Sequence, residues 1–269
     1  MSRGLNLLET AISILGWMCG LIALTTPAWF AVAAFGTKWA FWSWEFGLEF
    51  MILTLGPNLI LACLVAAGLT AILIALHRVI AGEFFGVITA PVLALVVGLT
   101  GGAWSVVAYQ EASEIISIAD VTTDFDDPPH FTAGFTARRG SGDQGLEYAG
   151  KTGESGRALS EIQSDAYPGL ETLYLEQPSD EVFQRAMILA RDAGWRIGTA
   201  SRSAGMFEAG AESFWFGFRD DMVVRVRVGE GGGSIVDVRS IARLSIDERG
   251  RNARRVQLFL EMMAADQTV

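Results

Sequence analysis

Four arginines, Arg225, Arg227, Arg239 and Arg243, fall in two short alternating runs, MVVRVRV (222–228) and IVDVRSIAR (235–243). Guanidinium forks match phosphate and carboxylate geometry. Gathered on one sheet face, with Trp215 close by, they would bind an anionic ligand such as a lipid headgroup or a cell-wall fragment. A second set of residues is acidic. Asp220-Asp221 precedes the first run, and DVTTDFDDPPHF (120–131) holds four aspartates, Pro-Pro and His130. Paired acids serve hydrolysis or hold hard cations. The catalytic candidates are therefore Asp220 and Asp221, and the metal candidates are Asp124, Asp126 and His130. Each set also has a plainer reading: an Arg–Asp ladder on a solvated sheet face, a hairpin turn at Asp220-Asp221, and aspartates that cap turns.

Other chemistries lack their residues. His130 is the only histidine beyond residue 110, so a Ser or Cys nucleophile has little choice of base. No nucleophile elbow, Walker loop or dinucleotide fingerprint occurs, and GEGGGS (229–234) reads as a turn. DVTTDFDDPPHF lacks the central Gly and the last-position Glu of a calcium loop. Cys19 and Cys63 sit in apolar runs without zinc-ligand spacing. No cofactor is expected. A net charge of −10 argues against nonspecific nucleic-acid binding.

The elements that would position these residues follow from periodicity. In MVVRVRV, Val224, Val226 and Val228 alternate with Arg225 and Arg227; in IVDVRS, Val236 and Val238 alternate with Asp237 and Arg239. Period two places the valines in a core and the charges outside. A five-residue turn would set Arg225 opposite Asp237, and a seven-residue turn would set Arg227 there. FWFGF (214–218) reads as the preceding strand; if Phe218 opposes Val224, Trp215 falls opposite Arg227, and a break near Gly210 would keep Glu208 and Glu212 off the aromatic face. PSDEVFQRAMILARDAG reads as a helix capped by Ser179 and ended by Gly194. NARRVQLFLEMMA reads as an amphipathic helix burying Ala253, Val256, Phe259, Leu260 and Met263. Thr172–Leu175 suits a short strand. Residues 132–160 are rich in Gly and Ser without apolar period and read as an exposed loop, with Arg138-Arg139 solvated. The order of elements gives an α+β domain, an antiparallel curved sheet packed on two helices.

The first 110 residues are of another kind. Mean hydropathy is +0.36 for the whole chain, yet charge is nearly absent before residue 110. Ala11–Phe35, Phe50–Leu76 and Phe84–Tyr109 are uncharged and long enough to cross a bilayer as helices. Without an ionisable residue inside them, they read as an anchor rather than a transport path. Arg3 and His77-Arg78 share one face of a three-span anchor, and the positive-inside rule puts that face in the cytoplasm. The polar part then lies outside. Trp39, Phe41, Trp42, Trp44 and Phe46 in the first loop form an interfacial aromatic belt.

DVTTDFDDPP, AYPGLETLYL, AGWRI, FEAGAESFWFGFRDDMVVRVRV, SIVDVRSIAR and GRNARRVQLFL together resemble the uncharacterised bacterial family called domain of unknown function 1499. Three N-terminal spans before such a domain also resemble an arrangement within that family. The resemblance implies an envelope protein and brings no activity, ligand or catalytic residue. By fold analogy alone the domain is helix-grip-like.

The expected organisation is a three-span anchor (1–110), an acidic Pro-Pro lead-in (111–133), a Gly/Ser-rich loop (134–160) and an α+β extracytoplasmic domain (161–269). The family portion covers about 118–265. The expected protein is a multi-pass component of the bacterial inner membrane, a binding or scaffold module with an anionic lipid or cell-wall ligand. The alternatives are a carboxylate-dependent envelope hydrolase and an accessory subunit with a membrane-protein partner.

Overall fold

A computed structural model describes residues 2–114, 116–139, 146–153, 155–244 and 250–265. The chain forms two compact units: Met1–Glu111 with Phe214–Gly217, and Ala112–Ser213 with Phe218–Val269.

The first unit is helical: α1 (Ser2–Lys38), a π-helical stretch (Glu45–Thr54), α2 (Gly56–Ala81) and α3 (Thr89–Glu114). Three segments, Arg3–Lys38, Glu45–Ala81 and Thr89–Glu111, are long and apolar enough to cross a membrane. Pro57 lies in the first turn of α2, and Pro91 near the start of α3. There a proline's missing N–H costs little; Pro27 alone interrupts a helix interior. Small residues bring the helices together, with Cys19 and Ala23 of α1, Cys63, Ala66 and Ala67 of α2 and Ala94 of α3 forming one buried cluster. Close approach of this kind is how helices associate where solvent offers no hydrophobic drive. Hydroxyl and thiol alternate across the seam, Cys19 Sγ lying 3.4 Å from Thr70 Oγ1 and Thr26 Oγ1 3.5 Å from Cys63 Sγ.

Two expectations change in this unit. Trp42, expected simply as an exposed belt residue, is half-buried, its indole filling the space above Gly36, where an added Cβ would stand 2.0 Å from the ring. Its Nε1 donates to Ala33 O and Thr37 Oγ1. The helices also extend beyond the uncharged runs, so Glu9 and His77 lie within them. The buried imidazole Nε2 sits 3.3 Å from the Glu9 carboxylate, joining the start of α1 to the end of α2.

The second unit is α+β. Its strands are β1 (Asp120–Thr122), β2 (Leu173–Leu175), β3 (Arg196–Ser201), β4 (Met206–Glu212), β5 (Arg219–Val228) and β6 (Ser234–Ala242). They form one open antiparallel sheet in the order β1-β6-β5-β4-β3, with β2 also paired to β6. Among the described residues four α-helices accompany it: α4 (Ala133–Arg139), α5 (Leu159–Ala166), α6 (Ser179–Asp192) and α7 (Arg251–Ala265). Val224, Val226, Val236 and Val238 face the helices and share a buried core with Val182, Phe183, Ala186 and Ala190 of α6 and Val256, Phe259 and Met263 of α7. Trp195 stacks on Phe259 at 4.9 Å.

The five-residue turn is the one found, so Arg225 pairs with Asp237 across β5 and β6. Helix α6 starts at Ser179 itself, with Pro178 in the capping position. Larger corrections concern the segment before β5. FWFGF is not a strand: β4 ends at Glu212, and Ser213 N bonds Phe218 O across a loop. β4 runs unbroken through Gly210, and the irregularity lies in β3 between Ile197 and Thr199. Asp220 and Asp221, expected in a turn, stand inside β5. In the stretch expected as an exposed loop, α4 forms and Phe135, Arg139 and Tyr148 are buried. Residues 140–145 of that loop and the Arg138 side chain lie outside the described residues.

Candidate functional site

Strand period two and the observed register put Glu208 of β4, Asp221, Arg225 and Arg227 of β5, Asp237 and Arg239 of β6 and Asp120 of β1 on one face, opposite the valine core. That face is not solvated. The chain after β1, through Pro128-Pro129 to α4, covers it, and Glu208, Asp221, Asp237, Arg239 and Asp120 are all buried. A buried charge requires a partner and hydrogen bonds. Glu208, Arg239 and Asp221 find partners in the covering segment, at Thr132, Pro129 and Arg139, whereas Asp237 pairs with Arg225 and Arg227 and Asp120 with Arg239 and Lys151.

Three groups of ion pairs result. In the first, Asp237 Oδ2 lies 3.2 Å from Arg225 Nη2 and 2.6 Å from Arg227 Nη2. Asp124 Oδ2 is 3.1 Å from both guanidinium groups, and Asp127 Oδ2 is 2.8 Å from Arg225 Nη1. The other Asp124 oxygen accepts from the backbone N–H of Asp126 and Asp127, which locks the turn that presents it. Thr172 donates to the second oxygen of Asp237. Burial works against the charge of Arg227, but Asp237 and then Asp124 outweigh it and hold its pKa above the ordinary value.

The second group centres on Arg239, which is fully buried. Its Nε and Nη2 form a fork on Asp120 at 2.9 and 2.7 Å, and it donates further to Pro129 O and Leu146 O. Phe131 and Tyr148 lie against the guanidinium at 5.8 and 5.5 Å. Lys151 Nζ sits 2.6 Å from Asp120 Oδ2. Burial, and then the charge of Asp120, push the Tyr148 phenol well above its ordinary pKa.

In the third group Asp221 is held by Arg139 Nε at 2.6 Å and by Arg243, whose Nε and Nη2 bond it at 3.1 and 2.8 Å. Arg139, expected in solvent, is thus a buried partner. Glu208 lies beside this group and accepts from the backbone N–H and the hydroxyl of Thr132.

These positions bear on each candidate set. Arg225 and Arg227 belong together, whereas Arg239 and Arg243 belong to separate groups, and all four meet aspartates. Trp215 is in the first unit, its ring 5.4 Å from Phe35. Asp220 and Asp221, as neighbours on a strand, point to opposite faces: Asp221 meets Arg139 and Arg243, and Asp220 meets Arg251 and Arg255 of α7 at 3.0 and 2.9 Å. They cannot flank one substrate as a pair. Asp124 faces arginines, while Asp126 and His130 are exposed. Among the described residues no group of three or more His, Cys, Asp or Glu is arranged to hold a metal ion. A separate groove of about 550 Å³ runs along α7, lined by Trp195, Arg254, Leu258 and Met262 and by none of the sheet-face arginines.

Asp120, Arg139, Lys151 and Glu208 were not among the site candidates. The one signal available for Glu208 was its phase in β4, which conflicts with an aromatic face and agrees with a polar one.

Fold and charge layer together define a class: an α+β domain with a self-paired ionic face, on a chain that also carries three helices fit to span a membrane. Residues 120–263 match the family described as Protein of unknown function (DUF1499), and the chain belongs to that family. The matched region begins at Asp120, the buried partner of Arg239. No curated protein matches the chain.

Proposed function

We propose that the protein is a membrane-anchored binding or scaffold module of the bacterial cell envelope, with its α+β domain on the extracytoplasmic side. One observation carries the non-catalytic part of this reading. The arginines and aspartates with the chemistry for a site are bonded to one another, and Asp220 and Asp221 are separated by the sheet. Charge asymmetry supports the orientation: Arg3 and His77-Arg78 fall at the same end of the three-span unit. Reporters fused after residue 265 test it. Alkaline phosphatase, active only outside the cytoplasm, should be active, and β-galactosidase inactive; the reverse pattern overturns the reading.

A second reading, an anionic lipid or cell-wall ligand at Arg225 and Arg227, has its own supporting observation. Asp127, the outermost carboxylate of that group, is 60% exposed, so a ligand carboxylate or phosphate could take its place on Arg225. Full-length protein in nanodiscs, titrated with soluble anionic cell-wall fragments, should bind more tightly as Asp127→Asn and lose binding as Arg225→Glu. Binding indifferent to Arg225→Glu would sink this version.

A further inference from the structure

The first unit contains one piece of chain from far along the sequence. Phe214–Gly217, in the connection between β4 and β5, clusters with the membrane-spanning helices. Its rings are among the most exposed aromatics of the chain, Phe214 at 68% and Trp215 at 54%. They meet the last turns of α1. Phe35 lies 6.0 Å from Phe214, edge to face, and 5.4 Å from Trp215; Lys38 Nζ stands 5.3 Å over the Phe214 ring and donates to Phe214 O at 2.8 Å. Trp39 stacks on Phe35 at 5.4 Å, and Phe41 lies edge-on to Trp39 at 6.1 Å, both largely exposed.

The place of this cluster matters. Lys38 is the first charge after the uncharged run from Ala11 to Phe35 and ends the apolar helix, the position expected for the change from hydrocarbon to headgroups. Tryptophan and lysine are favoured there, because an indole keeps one polar edge wet and an ammonium reaches outward to phosphate. In water alone, Phe214 and Trp215 would be a contiguous apolar patch with no function. Next to the end of a bilayer-spanning helix they extend its aromatic girdle.

We propose that Phe214 and Trp215 form a membrane-interface loop, partnered by the headgroup layer of the bilayer that α1 crosses. This assignment concerns lipid contact at the loop and holds whichever side the α+β domain occupies, so it stands or falls apart from the proposed function.

Full-length protein in phosphatidylcholine–phosphatidylglycerol nanodiscs supplies the test. The Trp215 signal is taken as the emission difference between wild type and Trp215→Phe, which keeps a ring against Phe35. The difference spectrum should be blue-shifted, strongly quenched by lipid brominated near the headgroup end of its chains, and weakly quenched by aqueous acrylamide. Strong acrylamide quenching without bromolipid quenching would place the ring in water and overturn the proposal. Insensitivity to both quenchers would place it inside protein, and overturns it equally. If Trp215→Phe fails to fold, Trp215→Tyr excited at the red edge of tryptophan absorption supplies the same difference spectrum for the same quenchers.

Discussion

The two faces of the sheet are built on opposite principles. The face toward α6 and α7 is packed with Val224, Val226, Val236, Val238, Phe207 and Met222. The other is packed with Asp120, Glu208, Asp221, Asp237 and Arg239, and both are buried. An apolar face is held by area removed from water, a term that is non-directional and tolerant of shape-conserving exchange. A buried ionic face gains little net energy over an apolar one, because desolvation offsets attraction, but each charge left without its partner is costly. The apolar face therefore supplies stability, while the ionic face selects the segment that lies over the sheet: its Asp124 meets Arg225 and Arg227, and its Pro129 carbonyl meets Arg239.

The largest expected effect comes from breaking a pair on the ionic face. Arg239→Ala should cost about 3–5 kcal/mol, because the buried Asp120 loses its two-pronged partner and keeps only Lys151. Combining it with Asp120→Ala should cost clearly less than the sum of the two single changes. Denaturant unfolding of the full chain in detergent, read by near-ultraviolet circular dichroism, measures both, and additivity would show that the pair is not coupled. Phe259→Ala on the apolar face should cost a similar ~3–5 kcal/mol through a cavity under Trp195.

Conservative changes should separate the faces more sharply. Met222→Leu should cost less than about 1.5 kcal/mol. Arg239→Lys keeps the charge but loses the fork on Asp120, so it should behave nearly as badly as Arg239→Ala. Equal tolerance at the two positions would refute the contrast.

A pH effect follows from Tyr148. Its folded pKa is raised, by burial first and by Asp120 second, so the folded state favours the neutral phenol. The stability involved is intact below the ordinary tyrosine pKa of about 10 and is lost as pH rises above it. Alkaline difference absorbance should show a late-ionising phenol that Tyr148→Phe removes, and Tyr148→Phe should extend the stable range upward. Asp127→Asn should have the smallest effect, within about 1 kcal/mol, since that carboxylate is mostly exposed and screened by salt.

Much of this architecture is legible in the sequence because it is periodic. The helical stripes of α6 and α7, the alternation in β5 and β6 and the three long apolar runs are each contained within one segment. Even the choice of Arg225 opposite Asp237 was narrowed to two registers by turn length and period. FWFGF misled because its aromatic content mimics a strand, whereas Gly217 takes a positive φ of 69° and the rings turn to α1. Arg138-Arg139 misled because a Gly-rich context gives no sign that α4 carries Arg139 onto Asp221.

What the sequence alone determined is therefore the class of each element and the parity of its faces, since backbone geometry converts local spacing directly into a side. Tertiary structure alone decided which charges meet. Arg239 and Asp120 are 119 residues apart, and nothing in either run names the other. The acidic stretch and the arginine-rich strands read separately as a metal site and an anion site. They become one electroneutralising layer only because the chain after β1 folds back over the sheet, where the cost of burying an unpaired charge leaves each set the other as its partner.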